Sequence, residues 1–307
     1  MPRPSFRAAP VRVRVPATSA NLGPGFDALG LALARYDDVV VRIADDGLFV
    51  DVAGEGAEKL PRTGRHLVVR ALRAGFDALG GQPRGLEVVC ANRIPQGRGL
   101  GSSAAAIVAG VVAARALALG GEEVLDDAAL LTLAAELEGH PDNVAACLLG
   151  GLTIAWAPEA GGARAIRLDP SPRLRPVVFV PSATASTSRV RKLLPEGVPH
   201  ADAARNAGRA ALLVYALTAP AADPELLVAA TEDRLHQPFR APAMPRSAAL
   251  VEQMRADGVP AVLSGAGPSV LAFAPGGADV TGYAPRGWTV EELAVDTTGA
   301  TVLPLAG

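Results

Sequence analysis

The chain has 307 residues and a formal net charge of −2, long enough for two ordinary domains or one large one. Half of its residues are apolar, many of them alanine, so a sizeable core is within reach. The near-neutral charge argues against a general nucleic-acid or membrane-surface role.

Residues 11–15, Val-Arg-Val-Arg-Val, alternate cleanly and predict a strand with one wet face, ended by Pro16. Residues 17–30 are rich in loop formers, with Gly23-Pro24-Gly25 as the sharp turn. Loops leaving a strand end are natural places for ligand contacts, and Asn21 and Asp27 are the polar groups there. Each also has a local reading: a turn hydrogen bond for Asn21, a cap for Asp27. Residues 37–43 and 48–52 predict two further strands, and Asp45-Asp46-Gly47 between them signals a hairpin. Residues 66–79 carry helical spacing closed by Gly80-Gly81. His66 at its start reads as a cap or surface residue.

After the strand predicted at 86–90 comes Ile94-Pro95-Gln96-Gly97-Arg98-Gly99-Leu100-Gly101-Ser102-Ser103-Ala104-Ala105-Ala106, leading into a helix expected to reach Gly120-Gly121. A strand, a glycine-rich loop and a helix start make an anion site, because the first helical amides lack internal partners and carry the positive dipole end. Glycines let the backbone approach a phosphate closely. One of Ser102 and Ser103 can cap the helix while the other reaches a metal or phosphate oxygen. The usual P-loop lysine is missing, since the chain has only Lys59 and Lys192. The spacing is not that of a dinucleotide fingerprint either.

Residues 128–137 predict a helix, with Glu136 and Glu138 running into Gly139-His140-Pro141-Asp142-Asn143. Pro141 and Gly139 break the pattern and leave His140, Asp142 and Asn143 at a helix junction, for a site or for a plain cap on the next helix. A strand at 152–157, a hairpin tip at 158–162 and a boundary near Pro170-Ser171-Pro172 follow. A strand at 174–180 opens the second half. Thr187 and Arg191 are four apart and share a face if helical. Helices are expected at 201–217, 224–233 and 246–258, with Arg240 between the last two. Residues 262–273 read as two strands around a glycine loop, and two short strands follow near 288–290 and 300–302. Cys90 and Cys147 sit in apolar contexts without metal-ligand spacing, as reduced core residues of a cytoplasmic protein. Residues 1–10 lack the apolar core of a secretory signal. The most apolar stretch, 104–119, is interrupted by Arg115 and too short to span a bilayer.

The Pro95-x-x-x-Gly99-Leu100-Gly101-Ser102-Ser103-Ala104 pattern resembles the phosphate loop of the GHMP kinase superfamily. Pro16-Ala17-Thr18-Ser19-Ala20-Asn21-Leu22-Gly23-Pro24-Gly25-Phe26-Asp27 is similar to the N-terminal motif of the homoserine kinases within it, and so is Glu138-Gly139-His140-Pro141-Asp142-Asn143-Val144-Ala145. Residues 262–273 resemble the third GHMP motif. The chain departs from the family at His66, where asparagine is usual near the adenine, and at Ala146, where proline is common. The resemblance implies an α+β, two-domain GHMP kinase fold. Residues 1–168 would form a ribosomal-S5-domain-2-like half that binds ATP, and residues 169–307 a ferredoxin-like half. It implies ATP cradled by Pro95, Gln96, Gly97, Arg98, Gly99, Leu100, Gly101, Ser102, Ser103, Ala104 and Ala105, with His66 near the base. Mg²⁺ would be held by Ser102 and Glu136, with Glu138 in reserve.

By the same resemblance Asn21, Asp27, His140, Asp142, Thr187, Arg191 and Arg240 face L-homoserine, and Asn143 and Asp142 serve the chemistry. The residue types suit such a substrate. Arginines clamp a carboxylate bidentately, aspartates hold an ammonium, and phosphoryl transfer requires mostly positioning, so the base stays open. The implied reaction is ATP-dependent phosphorylation of the homoserine hydroxyl on the way to threonine. Another small-molecule GHMP kinase with a mevalonate- or shikimate-type substrate, and a non-catalytic nucleotide-binding module, stay as alternatives. Oligomeric state is open, a homodimer included.

Overall fold

The structure, a computed structural model, describes residues 4–220 and 223–304. It divides into two sheets with helices, one built mainly from each half of the chain. The first half runs β1 (Val11–Ala20), β2 (Leu29–Ala44), β3 (Gly47–Gly54), α1 (Leu67–Ala78), β4 (Gly85–Asn92), α2 (Ser102–Leu117), α3 (Gly121–Val124), α4 (Asp127–Glu138), α5 (Pro141–Leu149), β5 (Leu152–Trp156) and β6 (Arg164–Leu168). The second half runs β7 (Pro176–Val180), α6 (Thr187–Arg191), α7 (His200–Thr218), α8 (Pro224–Ala230), α9 (Gln237–Arg240), α10 (Pro245–Ala256), β8 (Ala261–Leu263), β9 (Val270–Phe273), β10 (Thr289–Glu292) and β11 (Thr301–Leu303).

The first sheet has seven strands, in the order β11-β1-β2-β4-β3, with β5 on the early part of β2 and β6 beyond it. Three expectations are corrected here. Pro16 does not end β1. The strand shifts register between Pro16 and Ala17 and continues to Ala20, because an irregularity in the ladder relieves the proline of donating a hydrogen bond. Strands β2 and β3 do not form a hairpin around Asp45-Asp46-Gly47. Strand β4 lies between them, antiparallel to β2 and parallel to β3, with α1 as the crossover that a parallel pair requires. The second unit does not keep the whole of 169–307. Strand β11 pairs with β1, and Val295 bridges Leu33, so the end of the chain returns to the first sheet.

Helix α2 is the centre of the first unit. Eleven of its residues are buried, as expected of a helix apolar on all sides. It packs closely on α1 because a Cβ at Gly110 would meet Ala71 Cβ at 2.6 Å, and one at Gly75 would meet Ala114 Cβ at 2.7 Å. Phe76 is fully buried and stacks edge-on to Phe6, with centroids 5.3 Å apart. Cys90 and Cys147 are buried and free in the same core.

The second sheet has four strands in the order β10-β7-β9-β8, all antiparallel. Numbered along the chain this is 4-1-3-2, the ferredoxin-like order, with short 3₁₀ turns at 275–277 and 281–283 in place of the second crossover helix. A second apolar cluster, including Phe179, Val259 and Met254, lies on this sheet. Among the described residues no helix is long and apolar enough to cross a membrane.

Candidate active site

The glycine loop joins β4 to α2. Gly97, Gly99 and Gly101 take positive φ of 64°, 76° and 70°, the left-handed conformation that excludes most side chains. Space demands glycine as well: a Cβ on Gly101 would lie 1.9 Å from Thr18 Oγ1, and one on Gly99 would lie 2.2 Å from the Ser264 carbonyl. The loop is seated on the other two motifs. Thr18 N–H donates to Leu100 O at 3.1 Å, and Ser264 Oγ lies 2.6 Å from Gly99 O and 2.9 Å from Ser19 Oγ. From the second unit, Ala185 N–H donates to Gly97 O at 2.9 Å. Helix α2 begins at Ser102 without a side-chain cap, which leaves its first amides available to an anion.

Two cavities meet at this loop, sharing Gly97, Ser102 and Ser103. The first, of about 280 Å³, is polar and includes Asn21, Asp27, His140, Asp142, Arg191 and Arg240 in its walls. Motifs from both halves therefore converge. The turn at 21–27 is strained: Asn21, Leu22 and Asp27 all have positive φ, of 66°, 49° and 53°. Asn21 spans the turn, accepting from Asp27 N–H at 3.0 Å while its Nδ2 donates to Gly265 O at 2.9 Å. Residual strain of this kind persists where surroundings over-determine the backbone. Across the pocket Asp27 pairs with Arg191 of α6 through both carboxylate oxygens.

Arg240 is 2% exposed, yet among the described residues it forms no ion pair, and its Nε has no hydrogen-bond partner. Its Nη1 donates to His236 Nδ1 at 3.1 Å and to Gly265 O at 3.3 Å. His236 Nε2 faces Gly23 O at 2.8 Å. A carbonyl only accepts, so Nε2 carries the proton and Nδ1 receives the arginine. Burial, the largest influence, lowers the His236 pKa and keeps it neutral. Phe26 stacks on His236 at 5.2 Å and lies under the Arg240 guanidinium at 5.4 Å. A buried guanidinium held this way, with no carboxylate of its own, has the chemistry to receive an anion.

His140 occupies the N-cap position of α5 without a side-chain cap bond and places Nδ1 at 2.6 Å from Asp142 Oδ1. The hydrogen bond to Asp142 raises the His140 pKa. Asp142 is 1% exposed. Asn143 Oδ1 accepts from Thr18 Oγ1 at 2.7 Å, which joins the α5 junction to the first motif.

The metal expectation needs correcting. Glu138, not Glu136, faces the glycine loop, with Oε1 at 2.5 Å from Ser103 Oγ. Glu136 lies in a separate surface depression with Ala78, Leu133 and Gly161. Positions two apart on a helix differ by about 200° in direction, so only one of the two can face the loop. Burial raises the Glu138 pKa. No group of three metal-binding side chains is found among the described residues.

The second cavity, of about 150 Å³, lies behind the loop and includes Leu60, His66, Gln96, Ala105 and Ala106 in its walls. His66 is 3% exposed with both ring nitrogens unpartnered. It holds the N-cap position of α1 without a side-chain cap bond, and the expectation of a surface residue is corrected: the residue is buried and lines this chamber. Not every loop residue lines a cavity. Pro95, Arg98, Leu100 and Ala104 are absent from both walls. Leu100 and Ala104 are buried in the core, and Arg98 reaches outward to Ser182 O at 2.9 Å. Thr187 opens α6, and its side chain lies outside the described residues. Sequence reasoning passed over His236, Phe26 and Ser264. His236-Gln237-Pro238 had a signal, a histidine four residues before an arginine. Ser264 had none beyond its glycine-rich neighbours.

Residues 66–151 match the model of the GHMP kinases N-terminal domain, and residues 216–281 that of the GHMP kinases C-terminal domain. A lysine-free glycine cradle beside a polar pocket is thus that of a GHMP kinase, a class acting on small molecules. The homoserine kinase of Streptomyces coelicolor is 68% identical over all of this chain and 98% of its own length. That of Streptomyces avermitilis is 67% identical over the whole of both chains. The crystal structure of homoserine kinase from Cytophaga hutchinsonii superposes with a TM-score of 0.83 at 27% identity, covering 97% of this chain and 98% of that one. The chain belongs to the homoserine kinase family of the GHMP kinases.

Proposed function

We propose that the chain transfers the γ-phosphoryl group of ATP to the side-chain hydroxyl of L-homoserine, giving ADP and O-phospho-L-homoserine. The observation that carries this reading is Arg240, a buried guanidinium with no ion pair among the described residues, facing a pocket that also contains Asp27 and Asp142. An α-amino acid brings one carboxylate and one ammonium. Arg240 and Arg191 receive the carboxylate, Asp27 and Asp142 the ammonium, and Asn21, His140 and Thr187 orient the molecule by hydrogen bonds. The triphosphate lies on the amides of the glycine loop and of the first turn of α2, and the base enters the chamber lined by His66.

The hydroxyl oxygen forms a bond to the γ-phosphorus as the bond to the β-phosphate bridging oxygen breaks, ADP departs with that oxygen and its electron pair, and the hydroxyl proton passes to solvent. Such transfer depends chiefly on alignment and charge stabilisation, so a strong base is not required. Asn143 and Asp142 flank the acceptor end of the pocket and support the transferring group. The oxygen donors Glu138 and Ser102 suit Mg²⁺, which is held through one or two carboxylates plus substrate phosphates. When bound, it neutralises charge on the β- and γ-phosphates. Buried, free Cys90 and Cys147 fit a reducing, cytoplasmic setting.

The test is ADP release with homoserine, mevalonate and shikimate as acceptors. Turnover with homoserine is expected. Turnover with mevalonate or shikimate and none with homoserine overturns the substrate assignment. ATP binding without turnover on any acceptor leaves a nucleotide-binding module.

A further inference from the structure

The register between β2 and β4 ends at the pair Asp38–Ala91. Beyond it, Arg93 and Ile94 have left the ladder, and their N–H groups no longer face a strand backbone. The side chain of Asp37 takes over. Its Oδ1 accepts from Arg93 N–H at 2.6 Å and from Ile94 N–H at 2.8 Å. The other end of the Arg93 residue is held too, since Arg35 Nε donates to Arg93 O at 2.5 Å. Arg35 is itself tied to the second unit by Nη1 at 2.5 Å from Glu291 of β10. Immediately after this fixed residue come Ile94, 0% exposed, and Pro95, whose ring confines the preceding residue to extended conformations. The glycine loop follows directly.

We propose that Asp37 is a positioning residue for the nucleotide. Together with Arg35 it holds the backbone of Arg93 at both ends and so fixes where the phosphate loop departs from the sheet. Ala185, Ser264 and Thr18 seat the middle of that loop, and Asp37 and Arg35 add the anchor at the end where it leaves β4. Asp37 is 8% exposed and forms part of the wall of the chamber behind the loop. A carboxylate there is held against its own preference for water: burial pushes its pKa up to about 6. A site that needed only packing would be served by an apolar side chain. This one keeps a group that accepts two otherwise unpaired amides.

The proposal rests on ATP being the nucleotide of the reading above but not on homoserine being the acceptor, so its readout is ATP affinity by calorimetry without acceptor. Asp37→Ala is expected to weaken ATP about tenfold, equal to about 1.4 kcal/mol. Asp37→Asn retains an oxygen that accepts both amides, so it is expected to restore most of that affinity while melting no lower than the parent. Arg35→Met releases the carbonyl end and is expected to weaken ATP in the same direction, with the homoserine KM unchanged. Asp37→Ala that melts lower but binds ATP like the parent overturns the proposal, as does Asp37→Asn with no recovery. If Asp37→Ala does not fold, Arg35→Met decides, and unaltered ATP affinity in that variant overturns it. Failure of the parent to phosphorylate homoserine overturns the acceptor assignment and leaves these affinities readable.

Discussion

Asp27 and Arg191 come from different halves of the chain and meet in an ion pair across the mouth of the polar pocket. Asp27 sits on a strained turn at positive φ, and Arg191 ends a helix of five residues. The pair adds to the other contacts that join the two halves here, among them Ser264 to Gly99 and Asn21 to Gly265. In the proposed reaction an incoming zwitterion exchanges with it: the carboxylate takes the arginine and the ammonium takes the aspartate. Arg191→Ala is expected to raise the homoserine KM by about tenfold or more, the scale of one charge-assisted contact. Steady-state kinetics with saturating ATP check this.

Arg240→Ala is expected to lower kcat/KM for homoserine by about two to three orders of magnitude, since truncating one side of a buried charged pair costs about 2–5 kcal/mol. The ATP KM should move far less. Equal loss in both substrates would count against a carboxylate-binding role.

Gly101→Val adds a Cβ 1.9 Å from Thr18 Oγ1 at a φ of 70°. ATP KM should rise steeply or activity vanish while the fold survives. Gly47→Ala is the matched control. Its φ is 76°, but a Cβ there meets nothing within 4 Å. Strain of about 1–2 kcal/mol should lower its melting temperature while kinetics stay normal.

Glu138→Gln should shift the Mg²⁺ concentration needed for half-maximal rate upward. Glu136→Gln should leave it unmoved, because that side chain lies in a different depression. A magnesium titration at fixed ATP separates the two, and a shift confined to Glu136→Gln would reverse the assignment.

Glu232 is surrounded by Arg205, Arg209 and Arg234, and the hydrogen bond from Arg205 leads in pulling its pKa down to about 2. A depressed folded-state pKa stabilises above the unfolded value near 4.3 and loses that contribution as pH falls toward 2. The melting temperature of Glu232→Gln should therefore sit below the parent at pH 6 and converge on it near pH 2. This cluster locks α7 to the turn before His236, so the same variant should also weaken homoserine modestly.

Much of this arrangement can be read from residue order. The alternation at 11–15, the glycines before α2 and the Gly139–Pro141 break each depend on neighbours in sequence, and the corresponding elements form where local chemistry places them. What depends on distant partners is not legible in that way. The turn at Asp45-Asp46-Gly47 has the residues of a hairpin, but β4 comes between β2 and β3, a pairing reached only through the α1 crossover, which packs on the distant helix α2. Pro16 punctuates a strand locally, and only the register shift against Tyr36 and Leu33 lets the strand continue. Glu136 and Glu138 are equivalent in composition, and only the roll of α4 against α2 decides which one meets Ser103. His66 reads as a surface cap because nothing adjacent in sequence reveals the chamber that Leu60 and Ala106 close around it.

Strand β11 lies beside β1, at the outer border of the first sheet. Strand β1 therefore gains its second neighbour only through a pairing of very long sequence separation, Arg12 with Leu303, the kind of contact that forms late because its loop-closure cost precedes its reward. Without that pairing Arg12, Val13 and Arg14 would present an open ladder, the exposed edge that invites pairing with another chain. The phosphate loop hangs on β1 through Thr18, so the seat of that loop is braced by a segment that is among the most distant from it in sequence.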